Sequence, residues 1–198
     1  MPGPCFVDGD PVSLHTVESD DVEFYQRGWT EPALRFPLSV QRPFNREATE
    51  SFLEEVDDGP DVTLLVCVDG EKLDGATAEE PVPVGCVSMF GVDTDAGVGD
   101  LAYWDAPEYQ RAGYGTAAVD ALVRYGFDER RLHRISAFVL DGNDASRGLL
   151  ERLGFTHEGV RRGQTFEDGE RLGGHVYGLL DREWRATGEN TTVTGGSA

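Results

Sequence analysis

Lysine is nearly absent. Of 17 basic side chains only Lys72 is a lysine, against 37 acidic residues, so the 198-residue chain carries a formal charge of −20 at pH 7. Nucleic acids are held largely through phosphate neutralisation by clustered Lys and Arg. The locally basic stretches here are Arg130-Arg131-Leu132-His133-Arg134 and Arg161-Arg162, so a nucleic-acid partner is not expected. Three cysteines, Cys5, Cys67 and Cys86, form an odd set without C-x-x-C. Cys67 and Cys86 fall in apolar runs, where a free thiol acts as a small hydrophobe. His15, His133, His157 and His175 are dispersed without ligand spacing, so no metal is expected. No apolar run approaches the roughly 18–20 residues of a membrane span. The start, Met1-Pro2-Gly3-Pro4-Cys5, lacks the basic-then-apolar pattern of a secretory leader. Together these absences point to a cytoplasmic protein without a membrane partner.

The length suits one domain with a sizeable core. At 39% hydrophobic and 27% charged residues, the composition describes a folded protein with an acidic skin. The acids recur along the chain, as in Asp20-Asp21, Glu54-Glu55 and Glu79-Glu80, instead of forming one tail. Scattered acid with one lysine suits a surface that stays hydrated in concentrated salt, a halophilic cytoplasm. An acidic mesophilic protein from a GC-rich genome is the alternative.

Residues 1–10 read as an N-terminal extension, and 12–17 alternate like a first strand. Asp20 and Asp21 are placed to cap a helix through about Gly28. Residues 29–45, punctuated by Pro32, Pro37 and Pro43, read as irregular and aromatic, and a helix follows over 46–57. Val62 to Val68 and Val82 to Phe90 are almost continuous apolar runs, as in strands covered on both faces. The acidic loop between them, Asp69 to Pro81, reads as mobile. A strand over 98–104 leads through a loop into a helix ending near Phe127. Its Val119, Leu122, Val123 and Phe127 form one apolar stripe. Strands are expected at 135–140, 155–162 and 174–180, with a helix over 144–153 closed by Gly154. The last residues, 188–198, lack an apolar face and read as a disordered tail within 185–198. The element order is that of a single-domain mixed α/β fold over 11–184.

Gln110-Arg111-Ala112-Gly113-Tyr114-Gly115-Thr116 is the most informative stretch. Two glycines allow a tight turn, and the helix that starts at once presents unpaired amides and the positive end of its dipole. This is an anion site suited to a pyrophosphate, with Arg111 as a charged partner. Gly113-x-Gly115-x-x-Ala118 superficially satisfies a dinucleotide fingerprint. That fingerprint needs its first glycine directly after a strand, and here residues 105–112 intervene.

The same loop resembles the Q/R-x-x-G-x-G/A acyl-CoA loop of the GCN5-related N-acetyltransferases (GNAT). Gly99-Asp100-Leu101-Ala102-Tyr103-Trp104, Pro107-Glu108-Tyr109-Gln110, Asn143-x-x-Ser146, Leu153-Gly154-Phe155 and Glu158-Gly159 extend the match. They resemble the ribosomal-protein N-terminal acetyltransferase (RimJ/RimL-like) branch, over about residues 11–184. The resemblance implies a mixed, mostly antiparallel sheet splayed at the strands 98–104 and 135–140, helices on both faces and acetyl-CoA in the gap. It also implies transfer of acetyl to a primary amine by direct attack through a tetrahedral intermediate. Pantetheine amides would then bind the strand edge Ala102-Tyr103-Trp104 as another strand does, with an amide of Ala102 or Tyr103 facing the oxyanion.

Asp100 stands where the family often carries a Glu, and is either the base, through water, or a solvated or core-paired carboxylate. Many members protonate the thiolate with a helical Tyr; Leu149-Leu150-Glu151 has none. Ser146 is the replacement, as a proton donor or merely a helix cap. Asn143 is either a cap or an amide contact to pantetheine. Gly163-Gln164-Thr165 lacks the Glu that the ribosomal branch can place there, which leaves the base open. Trp29, Phe36, Phe44 and Phe166 either line an acceptor mouth or simply pack. A protein α-amine, a small amine and an amino-sugar antibiotic all remain as acceptors, on a monomer or homodimer. A non-catalytic acyl-CoA sensor of the same fold is the alternative function.

The halophilic reading carries a direct test. Stability measured by denaturant unfolding should rise as KCl goes from 0.1 M toward molar concentration, where the Debye length falls to about 3 Å; equal stability at low salt removes the reading.

Overall fold

The unbroken apolar runs become the interior of one sheet. The computed structural model describes residues 2–57, 59–73, 80–167 and 169–192. Its strands are Cys5–Val7 (β1), Ser13–Thr16 (β2), Val62–Asp69 (β3), Pro81–Asp93 (β4), Val98–Asp105 (β5), Arg134–Leu140 (β6), Thr156–Glu167 (β7) and Glu170–Leu180 (β8). Its helices are Val22–Thr30 (α1), Pro32–Arg35 (α2), Arg46–Asp57 (α3), Tyr114–Asp128 (α4), Asp144–Arg152 (α5) and Asp181–Thr192 (α6). The sheet order is β1-β2-β3-β4-β5-β6-β8-β7. Every neighbouring pair is antiparallel except β5 and β6, which α4 joins as a parallel crossover.

Strand alternation sorts side chains onto two helix-covered faces. Val87 and Met89 of β4 and Leu101 of β5 are buried with the α4 stripe Val119, Leu122, Val123 and Phe127. Cys86 and Trp104 point to the opposite face, where Tyr25 and Leu34 bury and Trp29 and Phe52 pack against them. Cys67 and Cys86 are free and buried, and burial pushes both thiols up to about 12, which suits packing and not reactivity.

The parallel pairing is short. Val98, Gly99, Asp100 and Leu101 pair with Arg134, Ile135, Ser136 and Ala137, and there it stops. Beyond that point β5 stays on β4 as far as Asp105 opposite Gly85, while β6 stays on β8 as far as Leu140 opposite Gly174. The two halves of the sheet therefore splay, as expected for these two strands.

Several boundaries differ from expectation. The segment read as an extension supplies the edge strand β1, with Cys5 opposite His15 and Val7 opposite Leu14. Part of the expected tail is helical, because α6 runs to Thr192 and docks Trp184 on Phe127 at 5.6 Å; residues 193–198 lie outside the described residues. The stretch 29–45 is not wholly irregular, since Pro32 starts the short α2 in the first-turn position that tolerates a missing N–H. Gly70–Lys72 form a 3-10 turn, while 74–79, in the loop read as mobile, lie outside the described residues. β7 and β8 extend further than the apolar pattern suggested, to Glu167 opposite Glu170, because hairpin pairing continues into polar sequence. Among the described residues no helix is long and apolar enough to cross a membrane.

Candidate active site

The site begins where the β5–β6 pairing ends. Leu101, Ala102 and Tyr103 face Ala137, Phe138 and Val139 across a gap of about 180 Å³ that also touches Asn143 and Ser146. Past Leu101 the β5 edge has no strand beside it on the β6 side, and such an edge accepts an extended ligand carrying amides.

The loop beyond β5 builds an anion cradle at the end of this gap. Pro107–Tyr109 form a 3-10 turn, and Gln110 Nε2 ties the loop back to the Asp105 carbonyl at 3.1 Å. Arg111 and Gly113 both take left-handed conformations, with φ of 67° and 89°. A Cβ on Gly113 would meet nothing within 4 Å, so the glycine answers to backbone shape and leaves space in front of the helix. The amides of Tyr114 and Thr116 have no protein partner among the described residues, and they open α4 with its positive dipole end. Arg111, Ala112 and Gly113 are exposed beside them.

Gly115 behaves differently from expectation. Its N–H donates to Asp105 Oδ2 at 3.1 Å, and a Cβ there would sit 2.7 Å from the same oxygen. Gly115 is therefore required for the close approach of a carboxylate, and its amide is engaged inside the protein. Burial raises Asp105 to about 6, opposed by the Gly115 hydrogen bond.

Ser146 is not the helix cap. Asn143 caps α5, its Oδ1 accepting from the Ser146 N–H at 3.1 Å. That leaves the Ser146 hydroxyl to pair with the Tyr103 phenol, oxygen to oxygen at 2.5 Å. Burial pushes Tyr103 up to about 12, with the Ser146 hydrogen bond acting the other way, so the phenol keeps its proton at neutral pH. Asn143 also lines the gap, so its cap and its expected amide contact are compatible.

Asp100 and Ala102 project to the other face of β5. Asp100 lines a cavity of about 410 Å³ with Arg134, Ser136, Arg161, Gln164 and Thr165. Burial raises its carboxyl, and Arg161 and then Arg134 lower it. A second cavity of about 320 Å³, lined by Tyr25, Trp29, Phe52, Ala102 and Trp104 among others, adjoins the gap at Ala102 and Tyr103. The gap, the carboxylate and the apolar pocket thus meet around Phe90, which touches all three spaces.

Residues 12–156 match the family described as "Acetyltransferase (GNAT) domain". The chain belongs to this family. It is 35% identical over 100 residues to YdaF of Bacillus subtilis, provisionally assigned as a ribosomal N-acetyltransferase, covering 50% of this chain and 55% of that one. It is 24% identical over 166 residues to the spermidine N(1)-acetyltransferase of Escherichia coli K12, covering 80% of each. The fold matches spermidine N-acetyltransferase from Vibrio cholerae, solved with CoA and spermine, with TM-score 0.79 and 18% identity over 89% of this chain and 99% of that one. The chain spans about half the length of the first curated relatives it matches.

With GNAT membership established, the expected residues fall into two groups, with Asp100 apart in its own cavity. Gln110, Arg111, Ala112, Gly113, Tyr114 and Thr116 form the cradle loop, with Gly115 turned inward. Ala102, Tyr103, Asn143 and Ser146 surround the gap. Trp104 contributes its backbone to the open edge, while its ring packs 5.3 Å from Phe24. Trp29 lines the apolar pocket and packs at a tilt against Phe44, ring centroids 4.1 Å apart, whereas Phe36 and Phe166 lie exposed outside these cavities. Sequence reading missed the Tyr103 phenol and the Arg161 guanidinium. The β5 alternation carried a signal for the first, since Tyr103 points opposite to Asp100 and so toward the α5 side. Two dispersed histidines also meet, His175 Nδ1 and His157 Nε2 lying 3.0 Å apart on paired strands. No metal-holding cluster forms among the described residues.

Asp105 gives this site a measurable pH signature. Its folded value of about 6 lies above the usual carboxylate range, so its proton stabilises the fold at low pH and that contribution is lost as pH rises through 6. Asp105→Asn should be more stable than wild type at pH 8 by on the order of 2 kcal/mol, with the gain shrinking toward pH 4, in urea unfolding across that range.

Proposed function

We propose that this protein is an acetyl-CoA-dependent N-acetyltransferase acting on a primary amine. The observation that carries the reading is the loss of β5–β6 pairing after Leu101 and Ala137, directly before a loop whose free amides suit a diphosphate. Acetyl-CoA fits both halves: its pantetheine amides match an unpaired strand edge, and its pyrophosphate matches the cradle at Gly113 and Tyr114. When bound, it supplies an activated thioester.

The residues then divide the work. The edge of β5 at Ala102 and Tyr103 orients the donor and presents an amide to the developing oxyanion. Asp100, its carboxyl raised by burial, takes the amine proton through water. Ser146 donates a proton toward the sulfur and is re-supplied by the Tyr103 phenol to which it is hydrogen bonded, and water returns a proton to the phenol. Two hydroxyls in series substitute for the tyrosine missing from Leu149-Leu150-Glu151. The acidic surface belongs with a cytoplasm rich in salt, where screening removes the long-range repulsion between a −20 protein and an anionic donor.

Thiol release from acetyl-CoA with a panel of primary amines tests this reading. Turnover should need an amine, and Gly113→Glu should abolish acetyl-CoA binding in calorimetry by placing a carboxylate in the cradle. Binding without turnover on any amine would leave a sensor instead. Ser146→Ala should lower kcat by about 100-fold, within the range for loss of a proton donor, with KM for acetyl-CoA nearly unchanged; an unaltered kcat returns Ser146 to a structural role.

A further inference from the structure

The charge and shape around Asp100 specify more than an amine. The 410 Å³ cavity holds two guanidinium groups, and they are not equivalent. Arg134 is already engaged by both Glu158 oxygens, through Nη1 at 2.7 Å and Nη2 at 2.5 Å. Arg161 lies 5.7 Å over the Phe138 ring and forms no ion pair among the described residues. Its influence on Asp100 is through-space attraction. The cavity therefore offers one carboxylate for an ammonium and one uncommitted guanidinium for an anion.

The neighbouring 320 Å³ pocket is of another character. Tyr25, Trp29 and Phe52 form an aromatic wall, with Trp29 5.1 Å from Tyr25 and 4.8 Å from Phe52. Its volume suits a bulky apolar group. Among the described residues lining the gap and both cavities, the carboxylates are Asp100 and Asp61. Asp61 belongs to the aromatic pocket, not to the Asp100 cavity, and its Oδ1 accepts from the Val92 N–H at 2.9 Å. In the Asp100 cavity a polycation such as a polyamine would find a single carboxylate and an opposing arginine.

We propose that the acceptor is an α-amino acid with a bulky apolar or aromatic side chain, its carboxylate held by Arg161, its amine facing Asp100 and its side chain in the pocket of Tyr25, Trp29 and Phe52. This rests on the N-acetyltransferase reading above. Arginine suits the carboxylate because its planar fork makes charge-assisted, paired hydrogen bonds. In the transfer the amine nitrogen bonds to the acetyl carbon and the carbon–sulfur bond breaks. The proton lost by the amine goes to Asp100 through water, and the thiolate receives one from Ser146. The products are an N-acetylamino acid and the free thiol.

The test compares phenylalanine, phenylalaninamide, spermidine and a peptide with an acidic first residue, in thiol release and in binding followed by tryptophan fluorescence, since Trp29 and Trp104 line the pocket. Phenylalanine should exceed its amide in kcat/KM by about 10–100-fold, the worth of one hydrogen-bonded charge. Arg161→Gln should remove that difference through KM and not kcat, and Arg161→Lys should restore part of it. Equal use of the amide, preference for spermidine or the acidic peptide, or selectivity unchanged in Arg161→Gln would overturn the proposal, as would no phenylalanine binding. The fluorescence measurement keeps the two readings separate. Arg161-dependent binding of phenylalanine without acetyl-CoA binding would sink the transferase reading alone; acetyl-CoA turnover on other amines would sink this one alone.

Discussion

Everything in this molecule follows from two strands that part company. Four residue pairs join β5 to β6, and then each strand remains with its outer neighbour. A strand can satisfy its backbone on both sides only while the register holds. At Ala102 one side of β5 loses its partner, and a ligand with alternating amide groups becomes the natural replacement. The β4 side stays tight at this place, since a Cβ on Gly85 would run into the Trp104 carbonyl oxygen. The open edge is thus held firmly from behind.

The second constraint is electrostatic. Under the proposed function a heavily acidic chain receives an anionic donor, and what the loop before α4 offers it is backbone amides and Arg111 in place of lysines. Amides at the start of α4 act at short range and survive salt screening better than a field summed over the surface. Asp105 is the exception within that arrangement: its carboxylate takes the Gly115 amide, while its burial raises its protonation range against that hydrogen bond. Across the sheet Asp100 and Arg161 put opposite charges in one cavity, a pattern of side-chain charge where the loop before α4 offers backbone amides.

Legibility varied with the range of the interactions. The stripe Val119, Leu122, Val123 and Phe127 announced α4 because helical periodicity is local, and the runs around Leu65 and Val87 announced strands buried on both faces. Gly113 was readable for the same reason, as a turn directly before a helix. β1 was invisible because Cys5 to Val7 are too few for a pattern and form a strand only by pairing with β2. The helical reach of α6 was hidden by its polar sequence and depends on Trp184 meeting Phe127. Ser146 and Tyr103 lie 43 positions apart, and nothing in either neighbourhood signals a shared hydrogen bond.

What the sequence determined by itself is therefore the central strands β2 to β8, the helices α1, α3, α4 and α5, the acidic surface and the glycine loop that opens α4. These depend on residues a few positions apart, whose spacing is the physical cause of the structure. Only the tertiary structure decided that Asn143 caps while Ser146 faces a phenol, that Gly115 turns inward to Asp105, and that Arg161 shares a cavity with Asp100. Those contacts join separate strands and helices, so they exist only once sheet order and register bring the pieces together.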